Sequence, residues 1–180
     1  LNNTVEVTGG DGAWCFIDKE NPTNQISSYV YNKYFVTKNI WNSDSVVVNN
    51  STGLFINPAG YDSRENILYS SSTTTTIQRV KDVFGSPVVG DITISGMSSK
   101  ASHISPSPYS TVGTSTIFIG TQSGIVFKVT NAHSSPSVTN IGAGIPTGNI
   151  SCIEIGASEN QLLVTLSNYG VVSVWQSTNG

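Results

Sequence analysis

Five acids are the residues best suited to chemistry in this chain: Asp11, Asp18, Asp62, Asp91 and Glu154. Paired carboxylates hydrolyse glycosidic bonds when one protonates the leaving oxygen and the other acts as base or nucleophile across ~5–10 Å. Asp18 and Asp62 fall at strand-end turns, where a carboxylate that hydrogen-bonds the turn backbone is the simpler reading. Asp11 lies in a Gly9-Gly10-Asp11-Gly12 turn close to Trp14. Glycines there let a ligand or the chain come close, and an indole can stack on a sugar ring. A tight turn over a core tryptophan competes with that reading. Glu154 falls in a column with Phe16, Phe55 and His103 that is expected to be buried between sheets, and a buried acid is a functional flag. Asp11, Trp14 and Glu154 are therefore the candidate ligand-binding residues, and no catalytic residue is assigned.

The remaining reactive side chains are few. His103 and His133 have no Ser or Cys partner at a recognisable spacing, and His103 is expected as a satisfied histidine between sheets. Cys15 and Cys152 sit in apolar runs and are expected as buried free thiols, with one disulfide as the alternative. Neither has the spacing of a metal site. No phosphate-binding loop, dinucleotide fingerprint or calcium-loop spacing is present, so no cofactor or metal is expected.

Composition narrows the partners. Eight Lys and Arg against eleven Asp and Glu give a net charge of −3, and only 11% of the 180 residues are charged. No basic cluster exists to bind a phosphate backbone, which argues against nucleic acid. No apolar run reaches the ~18 residues of a membrane span. Ser, Thr and Asn make up about a third of the chain, a composition that suits an extracellular or cell-surface β protein. The first residue is Leu1 and the sole methionine is Met97, so a mature product or a piece of something longer is expected. The Asn-x-Ser/Thr triplets starting at Asn2, Asn50 and Asn149 are at chance level in such a chain.

The elements that must position these residues are strands. Nowhere does an i, i+3, i+4, i+7 apolar pattern persist over three turns, whereas short β-branched and aromatic runs bounded by Gly, Asn and Ser recur. Four first strands are expected at Trp14–Asp18, Leu54–Pro58, Ser102–Pro106 and Ile153–Ala157. They place Ile17, Ile56, Ile104 and Ile155 in one core-facing column at a ~40–50 residue period. Second strands follow at 26–31, 67–69, 117–119 and 162–164. Third strands end in a column of Asn39, Asp82, Asn131 and Asn179, residue types that tolerate left-handed turn geometry. Fourth strands are expected at 45–48, 88–94 and 137–141. Four strands per ~46 residues, repeated, describe the blades of a β-propeller, whose apolar faces only neighbouring blades can cover. The expected blades are 11–50, 51–96, 97–144 and 145–180, in a single module spanning 1–180, with 4–8 as an outer strand completing the last blade.

The segment from Gly9 to Pro22 resembles the GGDG…ID..NP stretch of secreted Bacteroidetes propellers. These are related to the Asp-box (BNR) repeats of sialidases, to family 74 glycoside hydrolases and to sortilin-type propellers. The runs Phe118–Asn131 and Ser167–Gly180 are also similar to that family. Its Asp-box, Ser/Thr-x-Asp-x-Gly-x-x-Trp/Phe, is degenerate here: Asn39 with Trp41 and Asp82 with Phe84 keep the polar turn residue and an aromatic but lose the glycine. The resemblance implies a folding role for these turns. It also implies either a scaffold that binds protein or glycan or, as the alternative, a glycoside hydrolase. A sialidase is excluded by its arginine triad, since this chain holds two arginines, Arg64 and Arg79. Four blades are expected either to close on themselves or to pair in a homodimer of eight, each N-terminal strand completing the partner's last blade.

Overall fold

The computed structural model describes residues 4–180, which form fifteen strands and no helix. Asn2 and Asn3 of the first triplet lie outside the described residues. The strands make four antiparallel meanders. The first holds β1 (Cys15–Ile17), β2 (Gln25–Ser28), β3 (Asn32–Thr37) and β4 (Ser45–Asn50). The second holds β5 (Ala59–Asp62), β6 (Ile67–Ser71), β7 (Thr76–Lys81) and β8 (Val88–Thr93). The third runs from β9 (Ala101–Pro106) through β10 (Ile117–Thr121) and β11 (Val126–Thr130) to β12 (Ser137–Asn140). Three strands complete the fourth: β13 (Ile150–Ile155), β14 (Leu162–Leu166) and β15 (Val174–Ser177).

Sheets stack through their faces. Ile26, Tyr34 and Val36 of the first sheet meet Leu68, Val80 and Phe84 in the second repeat. The second sheet's other face brings Ile67, Tyr69 and Ile77 against Ile104, Ile117, Ile119 and Phe127. Phe118 and Val126 then pack on Ile150, Ile153 and Leu162. Each fully buried side chain of this size contributes ~1.5–3 kcal/mol relative to exposure. Among the described residues these three cores join four sheets in a row, and no core cluster links the fourth sheet to the first. Three of the first strands lie side by side, with β9 touching both β5 and β13.

Burial explains the sequence pattern strand by strand. Both faces of β6 and β10 are covered, so every residue of each is buried and each opens on an unbroken apolar run, Ile67–Tyr69 and Ile117–Ile119. In β14 one face is covered, and buried residues alternate with Leu163 and Thr165. The Asn/Asp column follows the third strands, and Asp82 and Asn131 take φ of 52°. That left-handed geometry is costly for most side chains and mild for these two.

Three expectations give way. Leu54–Pro58 is a turn, because the Asn57 side chain accepts the Leu54 N–H at 2.9 Å and β5 begins only at Ala59. The isoleucine column dissolves with it: Ile104 is buried, whereas Ile17 is 61% and Ile56 51% exposed. Residues 4–8 carry no strand, and Thr8 reaches Ser27 on β2 through its hydroxyl at 3.1 Å, on the first sheet and away from the last. A five-residue run has too little apolar surface to hold itself in place without a strand partner.

A buried polar seam fixes the first sheet on the second. Asn32 donates to Thr52 Oγ1 and the Ser71 carbonyl, both at 2.8 Å, and its own oxygen accepts from Asn57 at 2.8 Å and Ser70 at 2.6 Å. Neither asparagine has solvent exposure. Burial also pushes the adjacent Tyr34 phenol up to about 12, against the opposing pull of the Ser70 and Asn57 side chains. Asn57→Ala removes one of the two donors to the Asn32 oxygen and strands the Leu54 N–H. A loss of ~1–3 kcal/mol in urea unfolding is expected, and a loss below ~0.5 kcal/mol would show the seam to be dispensable.

Candidate functional site

The three candidate residues do not converge. Asp11 is exposed in the N-terminal loop. Trp14 is half-buried against the core between the first two sheets, and its ring meets His103 on β9 edge-on, with centroids 6.0 Å apart. Glu154 is exposed on β13. Its neighbour Ile153 takes the core-facing position, and the pleat turns Glu154 to the opposite face of the last sheet. The column expected to bury it therefore fails there, as it does at Phe55, which is 51% exposed.

The other acids are held in structural roles. Asp18 accepts the N–H groups of Glu20 and Asn21 at 2.8 and 3.2 Å through one oxygen, and the Tyr61 hydroxyl at 2.9 Å through the other. Burial, and then Asp18, hold the Tyr61 phenol far above its ordinary range, so it stays a donor. Asp62 repeats the arrangement one sheet along, accepting Ser115 at 2.6 Å and the Glu65 N–H at 3.3 Å. Each carboxylate closes its own turn and ties it to the next repeat. Arg64 is similarly occupied, donating to the carbonyls of Ser110 and Pro108. A cleft of about 120 Å³ lies among these turns, lined by Lys19, Tyr61, Asp62, Arg64 and Pro106. It has room for a few waters. Asp91 is exposed on β8.

Both thiols are free, and Cys15 is exposed. The burial expected for it fails because Phe16 takes the core-facing position of β1 and Cys15 points to the uncovered face. Cys152 is half-buried, with its thiol pushed up by burial and by Glu154.

One surface escaped the sequence reading. Tyr31 occupies the β2–β3 turn at φ 55°, a left-handed conformation rare for an aromatic residue, and is 37% exposed. Its N–H donates to the Phe55 carbonyl at 3.0 Å, and the two rings stand perpendicular with centroids 5.7 Å apart. Two residues before Tyr31, the Tyr29 ring lies against Gly10, where an added Cβ would fall 2.2 Å from it. Lys33 Nζ sits 5.4 Å from the centre of the Tyr29 ring. The signal is present in the sequence as aromatic residues beside polar turn residues, but the strand pattern places Tyr31 at a strand end and Phe55 in a buried column.

No protein-family model matches this sequence, and no curated protein matches it either.

His103 gives the region a pH response. Burial lowers its pKa, opposed by the Ile153 backbone and Glu154, and its Nδ1 has no hydrogen-bond partner among the described residues. The unfolded chain then binds a proton that the folded one resists, so stability falls as pH drops below ~6.5 and is regained above it. Urea midpoints measured at pH 7.5 and 5.0 are expected to differ more in the native protein than in His103→Gln; equal differences would mean that His103 is not the group responsible.

Proposed function

We propose that this chain is a propeller-type module of the degenerate Asp-box kind, secreted or displayed at the cell surface, that binds a ligand without transforming it. Its ligand class is glycan or protein. The observation that carries the reading is the fate of the acids. Asp18 and Asp62 are tied into turns, while Asp11, Asp91 and Glu154 lie exposed on different repeats. A paired-carboxylate hydrolase needs two such groups facing each other across one groove. Stacked meanders, the adjacent first strands β5, β9 and β13 and polar turns at each third-strand end support the propeller assignment. The low charge and hydroxyl-rich surface support an extracellular place.

A glycan array run beside a reducing-sugar assay on β-glucans tests the reading. Binding without release of reducing ends is expected, and turnover that survives purification to homogeneity would overturn it.

The same architecture supports pairing of two copies. Ile17 and Val46 on the first sheet, and Leu163 and Val174 on the fourth, are each 45% exposed or more. Covering both faces head to tail makes a ring of eight sheets. Light scattering at micromolar concentration is expected to give twice the chain mass, and a monomeric mass would exclude the pairing.

A further inference from the structure

We infer that Cys152 of one copy and Cys15 of the next form a disulfide that fastens the head-to-tail pair; this rests on the pairing proposed above and names the bond that holds it. Register is the first argument. Cys15 stands opposite Ser27, Ala59 opposite Ser70, Ile104 opposite Ile119 and Ile153 opposite Val164, so the four occupy one position of the first strand. Ala59, Ile104 and Ile153 are each buried in the core shared with the preceding sheet. Cys15 is the fourth member of that column, and it is exposed because, among the described residues, no core covers its face.

One residue earlier runs a complementary column of Trp14, Pro58, His103 and Cys152. The pleat turns it toward the sheet that follows. Trp14 packs on the core that holds Ala59, and His103 lies against the backbone of Ile153. In both cases the residue met belongs to the column of Cys15. Laying the first sheet of a second copy on the fourth sheet repeats the same step once more, and it sets Cys152 against Cys15. The approach is close enough for a bond. A Cβ added at Gly60 on β5 would fall 2.7 Å from the Ile104 carbonyl oxygen on β9, and a disulfide spans Cα atoms ~4.4–6.8 Å apart. The two cysteines of the chain thus stand one on each end face, in the two columns that touch wherever consecutive sheets meet.

The occupant of these faces is a second copy because the faces continue the packing inside the chain. Ile17 and Val46 share the face of Cys15, and Leu163 and Val174 share that of Cys152. Strands ~4.8 Å apart and about five residues long give roughly 300 Å² for such a face. Two faces per copy come to roughly 600 Å², close to the ~800 Å² that a stable interface buries on each partner. A covalent bond adds to an interface of that size.

The oxidant is a small disulfide such as oxidised glutathione. Cys15, the exposed thiol, attacks it as the thiolate; the glutathione S–S bond breaks and one glutathione leaves. Cys152 of the neighbouring copy, as thiolate, then attacks the Cys15 sulfur of that mixed disulfide and the second glutathione leaves. The two cysteine protons end on the two glutathione thiols, and the two electrons lost by the cysteine sulfurs reduce the glutathione disulfide. An extracellular place, as proposed above, preserves such a bond.

Equal amounts of ¹⁴N- and ¹⁵N-labelled chain, mixed and oxidised with glutathione disulfide, test this by light scattering and by mass spectrometry of the linked peptides. A mass of two chains is expected, with Cys15 peptides joined to Cys152 peptides and the two isotopes mixed in the same link. Cys15→Ser alone and Cys152→Ser alone are each expected to give little covalent pair. Mixing the two variants is expected to raise the yield at least about tenfold, because docking raises the effective concentration of one thiol at the other. A mass of two chains without a Cys15–Cys152 link between copies, or with links joining like cysteines equally, overturns the disulfide and leaves the pairing intact. A single-chain mass, with the two cysteines free or linked within one isotope, overturns both. A ladder of larger species overturns the closed pair.

Discussion

A sheet with apolar side chains on both faces is stable in water only when both faces are covered, and this constraint organises the whole chain. The second and third sheets satisfy it fully. Their central strands β6 and β10 have hydrogen-bonded neighbours on both edges and packed sheets on both faces, and every residue in them is buried. The first and fourth sheets satisfy it on one side, and their free faces become mixed in character: Cys15, Ile17 and Val46 on one, Glu154, Leu163 and Val174 on the other. Stability in such an array is close to a sum of repeats and the interfaces between them, so the interior sheets set the level for the rest.

Apolar stacking alone leaves sheets free to slide, since the hydrophobic effect has no direction. Polar seams remove that freedom. Asn32 and Asn57 lock the first sheet to the second deep in the interface, and Asp18 and Asp62 tie successive strand-end turns at the surface. An unsatisfied polar group at any of these places costs more than a misplaced methyl, which makes the seams sensitive to register. They also occupy Asp18 and Asp62. A carboxylate already accepting from backbone N–H groups and a tyrosine hydroxyl is a turn component.

Strand identity was largely legible in the sequence because side-chain period and turn chemistry are local. The runs around Ile67, Ile117 and Leu162 all became second strands, and the Asn39, Asp82, Asn131 and Asn179 column does follow the third strands. The contrast between continuous burial in β10 and alternation in β14 even distinguishes inner from outer sheets. The first strands were harder. Leu54-Phe55-Ile56 has the composition of a strand, but Asn57 closes it into a turn through a hydrogen bond whose other partners lie 25 residues earlier and 14 later. No local pattern reports such a contact. Glu154 was misplaced for the same reason: a one-residue difference in register moves a side chain to the opposite face. The Tyr31–Phe55 contact exists only because Leu54–Pro58 is a turn.

Native-state hydrogen exchange measures the central claim, that two-sided stacking of the interior sheets holds the molecule together. Amides of β6 and β10 are expected to exchange slowest, at the rate set by global unfolding, while those of β1 and β15 exchange through local opening. Slowest exchange in the first or fourth sheet, or equal protection across all four, would contradict the account.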